Sequence, residues 1–175
     1  MNKMKTFLLI VTLCISNSSL SQIKSSEHLL SGMSLVGSAD FRYLFWKVYE
    51  AELYSENGDF EFFNELPLVL KLTYKRGFTA SQLSNETRKQ FLMLGLSEES
   101  IGNWIEYLQE IFVDVSPDDN FILYIDDEAN SHFYFNSRYS GSVNNENFSR
   151  YFSAIWLARQ DHYADFSAQL TGGDA

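Results

Sequence analysis

The chain has one cysteine, Cys14, in 175 residues, and two prolines, Pro67 and Pro117. A lone cysteine excludes an intrachain disulfide, so the fold must stand on its core alone. Histidine is scarce: His28, His132 and His162 lie far apart, and none has a second histidine or a cysteine three or four positions away, so no metal centre is expected. There is no Gly-rich phosphate cradle, no G-x-S-x-G elbow and no cysteine in the body of the chain to act as nucleophile, so no cofactor is expected either. Positive charge is in deficit. The 13 Lys and Arg face 23 Asp and Glu, for a net charge of −10 with no basic cluster, which excludes nucleic acid as a partner and works against anionic lipid surfaces.

What the chain has instead is apolar and aromatic bulk, 45% and 16% of residues, which excludes a disordered protein. A chain of this length can bury about two thirds of the surface its unfolded form exposes. At the N-terminus Lys3 and Lys5 precede an apolar run from Phe7 to Ile15, with Ser19 and Ser21 placed for cleavage before Gln22. That is the pattern of a signal peptide over residues 1–21, too short for a permanent membrane span. Leu13 before Cys14 departs from a lipobox, which needs a small residue there. An exported chain of residues 22–175, periplasmic or secreted, is therefore expected. No repeat, linker or low-complexity tract divides it, so it is read as one domain.

Strand-forming and helix-forming blocks alternate along that span. "MSLVGSADF" and "RYLFWKVYEAELYS" read as two strands meeting near Gly37 to Asp40, and "LPLVLKLTY" reads as a third with Leu68, Leu70, Leu72 and Tyr74 on its buried face. Thr79 and Gln82 form a capping box ahead of a helix that Gly95 ends, and Ser97 caps a second helix with a full apolar stripe. "FILYIDDEANSHFYFN" reads as a hairpin, "YSGSV" as a further strand, and "NFSRYFSAIWLARQ" as a helix capped by Asn144 or Asn145, with a last helical turn through Phe166 and Leu170. The expected class is α+β, an antiparallel sheet with helices packed on one face.

Arg42 is the residue that raises a functional question, because it opens a long aromatic strand. A guanidinium in an apolar wall suits a ligand carboxylate, and Tyr49 and Tyr74 would join it if their strands are neighbours. Two considerations oppose this. Strand alternation sets Arg42 and Tyr49 on opposite faces unless a bulge intervenes, and Arg42 has a plainer partner in a local acid such as Asp40.

The order of these blocks resembles the chalcone isomerase-like family, in its exported bacterial branch, over roughly residues 33–160. The family's G-x-G-x-R and K-V-Y-x-A-x-L-Y segments are matched by Gly37, Arg42, Lys47-Val48-Tyr49, Ala51 and Leu53-Tyr54, and its late I-W-L segment by Ile155-Trp156-Leu157. The resemblance implies an open-faced β-sandwich with a ligand cleft between sheet and helices. It also implies that Arg42, with Tyr49 nearby, holds an anionic ligand: a phenolate in the plant enzymes, a carboxylate in the fatty-acid-binding relatives. Ala39 stands where the family has its second glycine, and Leu83, beside Gln82, stands where the enzymes carry a catalytic tyrosine. The resemblance thus implies a non-catalytic domain binding a small amphipathic ligand such as a fatty acid. An isomerase of the intramolecular-lyase type, or an envelope interaction domain without ligand, are the other readings it leaves open.

Overall fold

The computed structural model describes residues 26–158 and 163–173; the expected leader and His162 lie outside them. Within the described residues six strands, β1 (Ser34–Tyr43), β2 (Trp46–Ser55), β3 (Leu68–Tyr74), β4 (Asn120–Ile125), β5 (Ser131–Phe135) and β6 (Arg138–Val143), pair in chain order, each antiparallel to the next. Helices α2 (Ala80–Met93) and α3 (Glu98–Ile111) leave the sheet between β3 and β4, while α4 (Glu146–Leu157) and α5 (Ala164–Leu170) follow β6.

Alternation along the strands creates the layers. Leu68, Leu70, Leu72 and Tyr74 of β3, with Phe121, Leu123 and Ile125 of β4, point to one side and meet Phe91, Ile101, Leu108, Phe148 and Phe152 of the helices. Phe91, Phe133 and Phe148 are fully buried there, and removing any of them would cost about 3–5 kcal/mol. The opposite face carries charge, with Lys71 paired to Glu52 at 2.7 Å and Lys47 to Asp40 at 2.5 Å. The expected open-faced sandwich is the fold observed. One addition was not expected: a short helix α1 (Ser26–Leu30) leads into a patch on that other face, where Leu29, Leu30 and Met33 pack against Val69, Ile122 and Tyr134.

The helix ends follow local chemistry. Thr79 Oγ1 accepts from the Gln82 amide at 3.2 Å while Gln82 Oε1 accepts from the Thr79 amide at 2.8 Å. Gly95 ends α2 at φ 87°, Ser97 and Ser100 cap α3 reciprocally, and Asn145 Oδ1 accepts from the Phe148 amide at 2.8 Å to start α4.

The first hairpin corrects the sequence reading. Its turn is Leu44–Phe45, not Gly37–Asp40, and the block from Arg42 to Ser55 is therefore two strands meeting at a two-residue loop. Turns of this kind are ordinarily marked by Gly, Asn or Asp. Here two apolar residues occupy it, which hides the turn from any pattern reading, and Leu44 takes a left-handed φ of 54° at a cost of roughly 1–2 kcal/mol. Residues 37–40 instead run straight within β1, and Gly37 serves a packing need: a Cβ there would lie 2.3 Å from the Gln169 carbonyl oxygen and 2.7 Å from that of Leu170. The C-terminal end of α5 therefore sits directly on the β1 backbone. Gly37→Ala is expected to lift α5 and destabilise the fold by about 1–3 kcal/mol, read as a lower denaturant midpoint; an unchanged midpoint would contradict this packing.

Candidate functional site

Where β1, β2 and β3 run together, alternation brings three aromatic residues into one row facing the helices. Phe41 pairs with Tyr49 and Tyr49 with Tyr74 across the strands. Phe41 stacks on Tyr49 at 4.9 Å between ring centroids, and Tyr74 meets Tyr49 edge-on at 5.9 Å. Phe166 of α5 closes the row from above, edge-on to Phe41 at 5.7 Å. A bulge at Val48 gives β2 an extra residue against the Phe41–Arg42 step of β1, so that Trp46 and Tyr49, three apart, share this face.

The row borders a cavity of about 810 Å³ between the sheet and helices α2 and α4. Its depth is apolar, walled by Leu70, Leu72, Leu123, Phe133, Phe152 and Ile155 among others. Its exposed lining is polar on the side of the β3–α2 connection and α2, with Arg76, Gln82, Asn85, Glu86 and Lys89, and aromatic at Tyr43 and Trp46 of the first hairpin. The volume falls within the range of small-molecule sites, roughly 300–1,000 Å³. An apolar depth with a polar rim is the shape of an amphipathic molecule.

Individual groups in it are well fixed. The Trp156 indole Nε1 donates to Tyr49 Oη at 3.0 Å, tying α4 to β2 across the cavity. Tyr49 is half-buried, with its hydroxyl engaged by the indole. Burial pushes the phenol pKa of Tyr49 far up, the indole hydrogen bond opposing only in part, and burial does the same for Tyr74. Both phenols stay protonated in ordinary conditions. Glu86 accepts from Lys89 at 3.2 Å and from the Gln90 Nε2 at 3.0 Å, which leaves the buried Oε1 of Gln90 without a partner among the described residues. Arg76 lays its guanidinium over the Trp46 ring, 4.6 Å from the centroid, at the rim.

Of the three residues singled out in the sequence, Tyr49 and Tyr74 line this cavity together and Arg42 does not. Arg42 follows Ser38 and Asp40 onto the open face of the sheet, where its Nη2 lies 3.3 Å from Asp40 Oδ2 with the side chain 59% exposed. The bulge is present, but it turns Trp46 inward rather than Arg42, so the expected arginine anchor is corrected in position. The rim cations are Arg76 and Lys89, of which Lys89 is paired with Glu86 and Arg76 lies over Trp46. The sequence signal of Arg76 was thin, a "KRG" after the third strand, and only the approach of Trp46 from the neighbouring hairpin distinguishes it. Gln82 and Leu83 both line the cavity, with Leu83 contributing only an apolar surface.

A six-stranded open sheet with helices layered over a cavity defines an open-faced sandwich. Comparison with known proteins agrees and goes further: the sequence profile described as chalcone isomerase-like matches residues 22–172. The chain belongs to the chalcone isomerase-like family. It is 27% identical over 137 residues to an uncharacterized protein of Haemophilus influenzae, covering 78% of this chain and 67% of that one. Among solved structures it resembles a fatty-acid-binding protein of Arabidopsis thaliana, with a TM-score of 0.56 at 11% identity over 79% of this chain and 90% of the other. At that identity the likeness speaks for the fold. Among the described residues no cluster of three or more His, Cys, Asp or Glu is arranged to hold a metal, and no helix is long and apolar enough to cross a membrane.

The buried phenols set an alkaline limit. Because the folded-state pKa of Tyr49 and Tyr74 is raised, their contribution to stability is complete below the ordinary tyrosine value of about 10 and is lost as pH rises above it. Phenolate absorbance should show these two tyrosines ionising only on unfolding, and Tyr74→Phe should flatten the alkaline loss of stability. Tyr49→Phe should also cost about 1–3 kcal/mol at neutral pH, since the Trp156 N–H loses its acceptor. Early ionisation of both groups in the folded protein would contradict their burial.

Proposed function

We propose that the protein is a non-catalytic carrier or sensor of a small amphipathic carboxylate of the fatty-acid type, acting outside the cytoplasm. The observation that carries the reading is the cavity itself: an apolar volume open at a rim that offers Arg76 and amide side chains. The alkyl body would lie between Leu72, Leu123 and Phe152, and the carboxylate at the rim would meet the Arg76 guanidinium, whose planar fork of donors suits a carboxylate. The ligand named for the Arabidopsis structure, a fatty acid, has this chemistry. The pattern of the first 21 residues supports an exported, periplasmic or secreted protein.

Binding rather than turnover is favoured by two features of the lining. The phenols that border the cavity are held protonated by burial and cannot serve as bases, and Leu83 offers no proton where the related enzymes carry a tyrosine. An intramolecular lyase would need a group to activate or hold the reacting oxygen, and the open-face position of Arg42 removes the residue that the family pattern assigns to it.

Native mass spectrometry with dodecanoate tests the proposal. The wild-type protein should bind one equivalent, Leu83→Trp should abolish binding by filling the cavity, and Arg76→Ala should weaken it roughly ten- to a hundredfold, the scale of a charge-assisted hydrogen bond. Arg42→Ala should leave affinity unchanged. Loss on Arg42→Ala with retention in Arg76→Ala, or steady turnover of a chalcone, would contradict this reading.

A further inference from the structure

The β1–β2 turn breaks two rules at once. Four consecutive residues at its tip, Tyr43, Leu44, Phe45 and Trp46, are exposed to 67%, 76%, 92% and 60%. Isolated exposed apolar side chains are ordinary, but a contiguous run of four on a projecting hairpin marks a contact surface. Leu44 moreover holds a positive φ at the first of the two turn positions, where glycine would sit without strain. A sequence shaped by folding alone would place a small polar pair here. Strain and exposed apolar area meeting at the same residues point to a use outside the fold.

The position of the tip says what that use is. Tyr43 and Trp46, at its base, line the cavity, so the exposed tip and the cavity opening are one continuous surface. Charge around it differs from the rest of this acidic chain. Arg42 and Lys47 flank the tip and share Asp40, Arg76 stacks on Trp46, and Lys47 also lies 3.7 Å from Glu50, which Lys75 meets at 3.6 Å while reaching Asp118 at 3.4 Å, so four cations stand against three carboxylates. On the neighbouring helix Glu86 and Lys89 pair with each other and add no net charge. Tyr and Trp at the base, Leu and Phe at the apex and arginine at the side form the gradient of a phospholipid interface, with apolar groups entering the acyl region and cations at phosphate depth. The long-range charge of the chain, −10 overall, opposes anionic membranes, so the surface that fits is a zwitterionic one with phosphates near the tip.

We propose that the Tyr43–Trp46 hairpin docks the protein on a zwitterionic phospholipid surface and sets the cavity opening against the bilayer for ligand exchange. The purpose rests on the carrier reading above, whereas docking is measured separately. The test is cosedimentation with phosphatidylcholine vesicles, together with the shift of tryptophan emission on adding them. Wild-type protein should sediment with vesicles and show a blue shift that Trp46→Phe removes, which assigns it to the tip rather than to the N-terminal residues. The variant Leu44→Gly/Phe45→Ser, which relieves the turn, should keep or raise the denaturant midpoint while losing roughly tenfold or more of vesicle binding. Its affinity for dodecanoate in vesicle-free solution should not change, so a failed docking result and a failed cavity remain distinguishable. Vesicle binding that persists in this variant, no binding by the wild type, or concentration-dependent self-association that the variant abolishes would each overturn the proposal.

Discussion

The two-residue turn at Leu44–Phe45 determines which side of the sheet faces each residue from Ser38 to Tyr49. A strand presents alternate residues to opposite faces, so moving the turn by a single residue would exchange the cavity wall for the charged surface. With the turn where it is, and the bulge at Val48 absorbing one residue, Phe41, Trp46 and Tyr49 face the helices while Asp40, Arg42 and Lys47 face out. The aromatic row, the Trp156 to Tyr49 hydrogen bond and the cavity behind them depend on that register.

The same constraint separates stability from function in different parts of the molecule. Around Phe91, Ile101, Leu108 and Phe148, none of which lines the cavity, the helices pack without accessible area. Toward β1 and β2 it is α2 and α4 that stand off from the sheet. There α5 is held by its close approach to Gly37, and the space between α4 and the sheet is spanned by side chains rather than filled by them. Interiors are ordinarily packed to the density of organic crystals. An apolar volume of this size in a fold that closes well elsewhere is a site kept open for an occupant.

Much of this was legible in the sequence because it is written in local chemistry. Thr79 with Gln82, Ser97, Gly95 and Asn145 mark helix ends by hydrogen bonds made within a few residues, and the alternation of β3 shows its buried face directly. The sheet and its helical layer followed from such signals, and the family from the order of the blocks; Tyr49 and Tyr74, singled out as site candidates, line the cavity. What was hidden depends on non-local geometry. Leu44–Phe45 is invisible as a turn because its residues are apolar. The side of the sheet that Arg42 takes depends on that turn, and the role of Arg76 depends on Trp46 arriving from a strand 30 positions earlier in the chain. α1 escaped notice because its single turn and three apolar contacts have no periodicity to read.

Function follows from whether the space between the aromatic row and α2 takes an amphipathic ligand by its tail. A crystal structure grown with dodecanoate measures this most directly. The expected result is an alkyl chain beside Leu72 and Phe152 with its carboxylate at the Arg76 rim. A cavity closed by collapse of α4 onto the sheet, or a carboxylate bound to Arg42 on the open face, would contradict it.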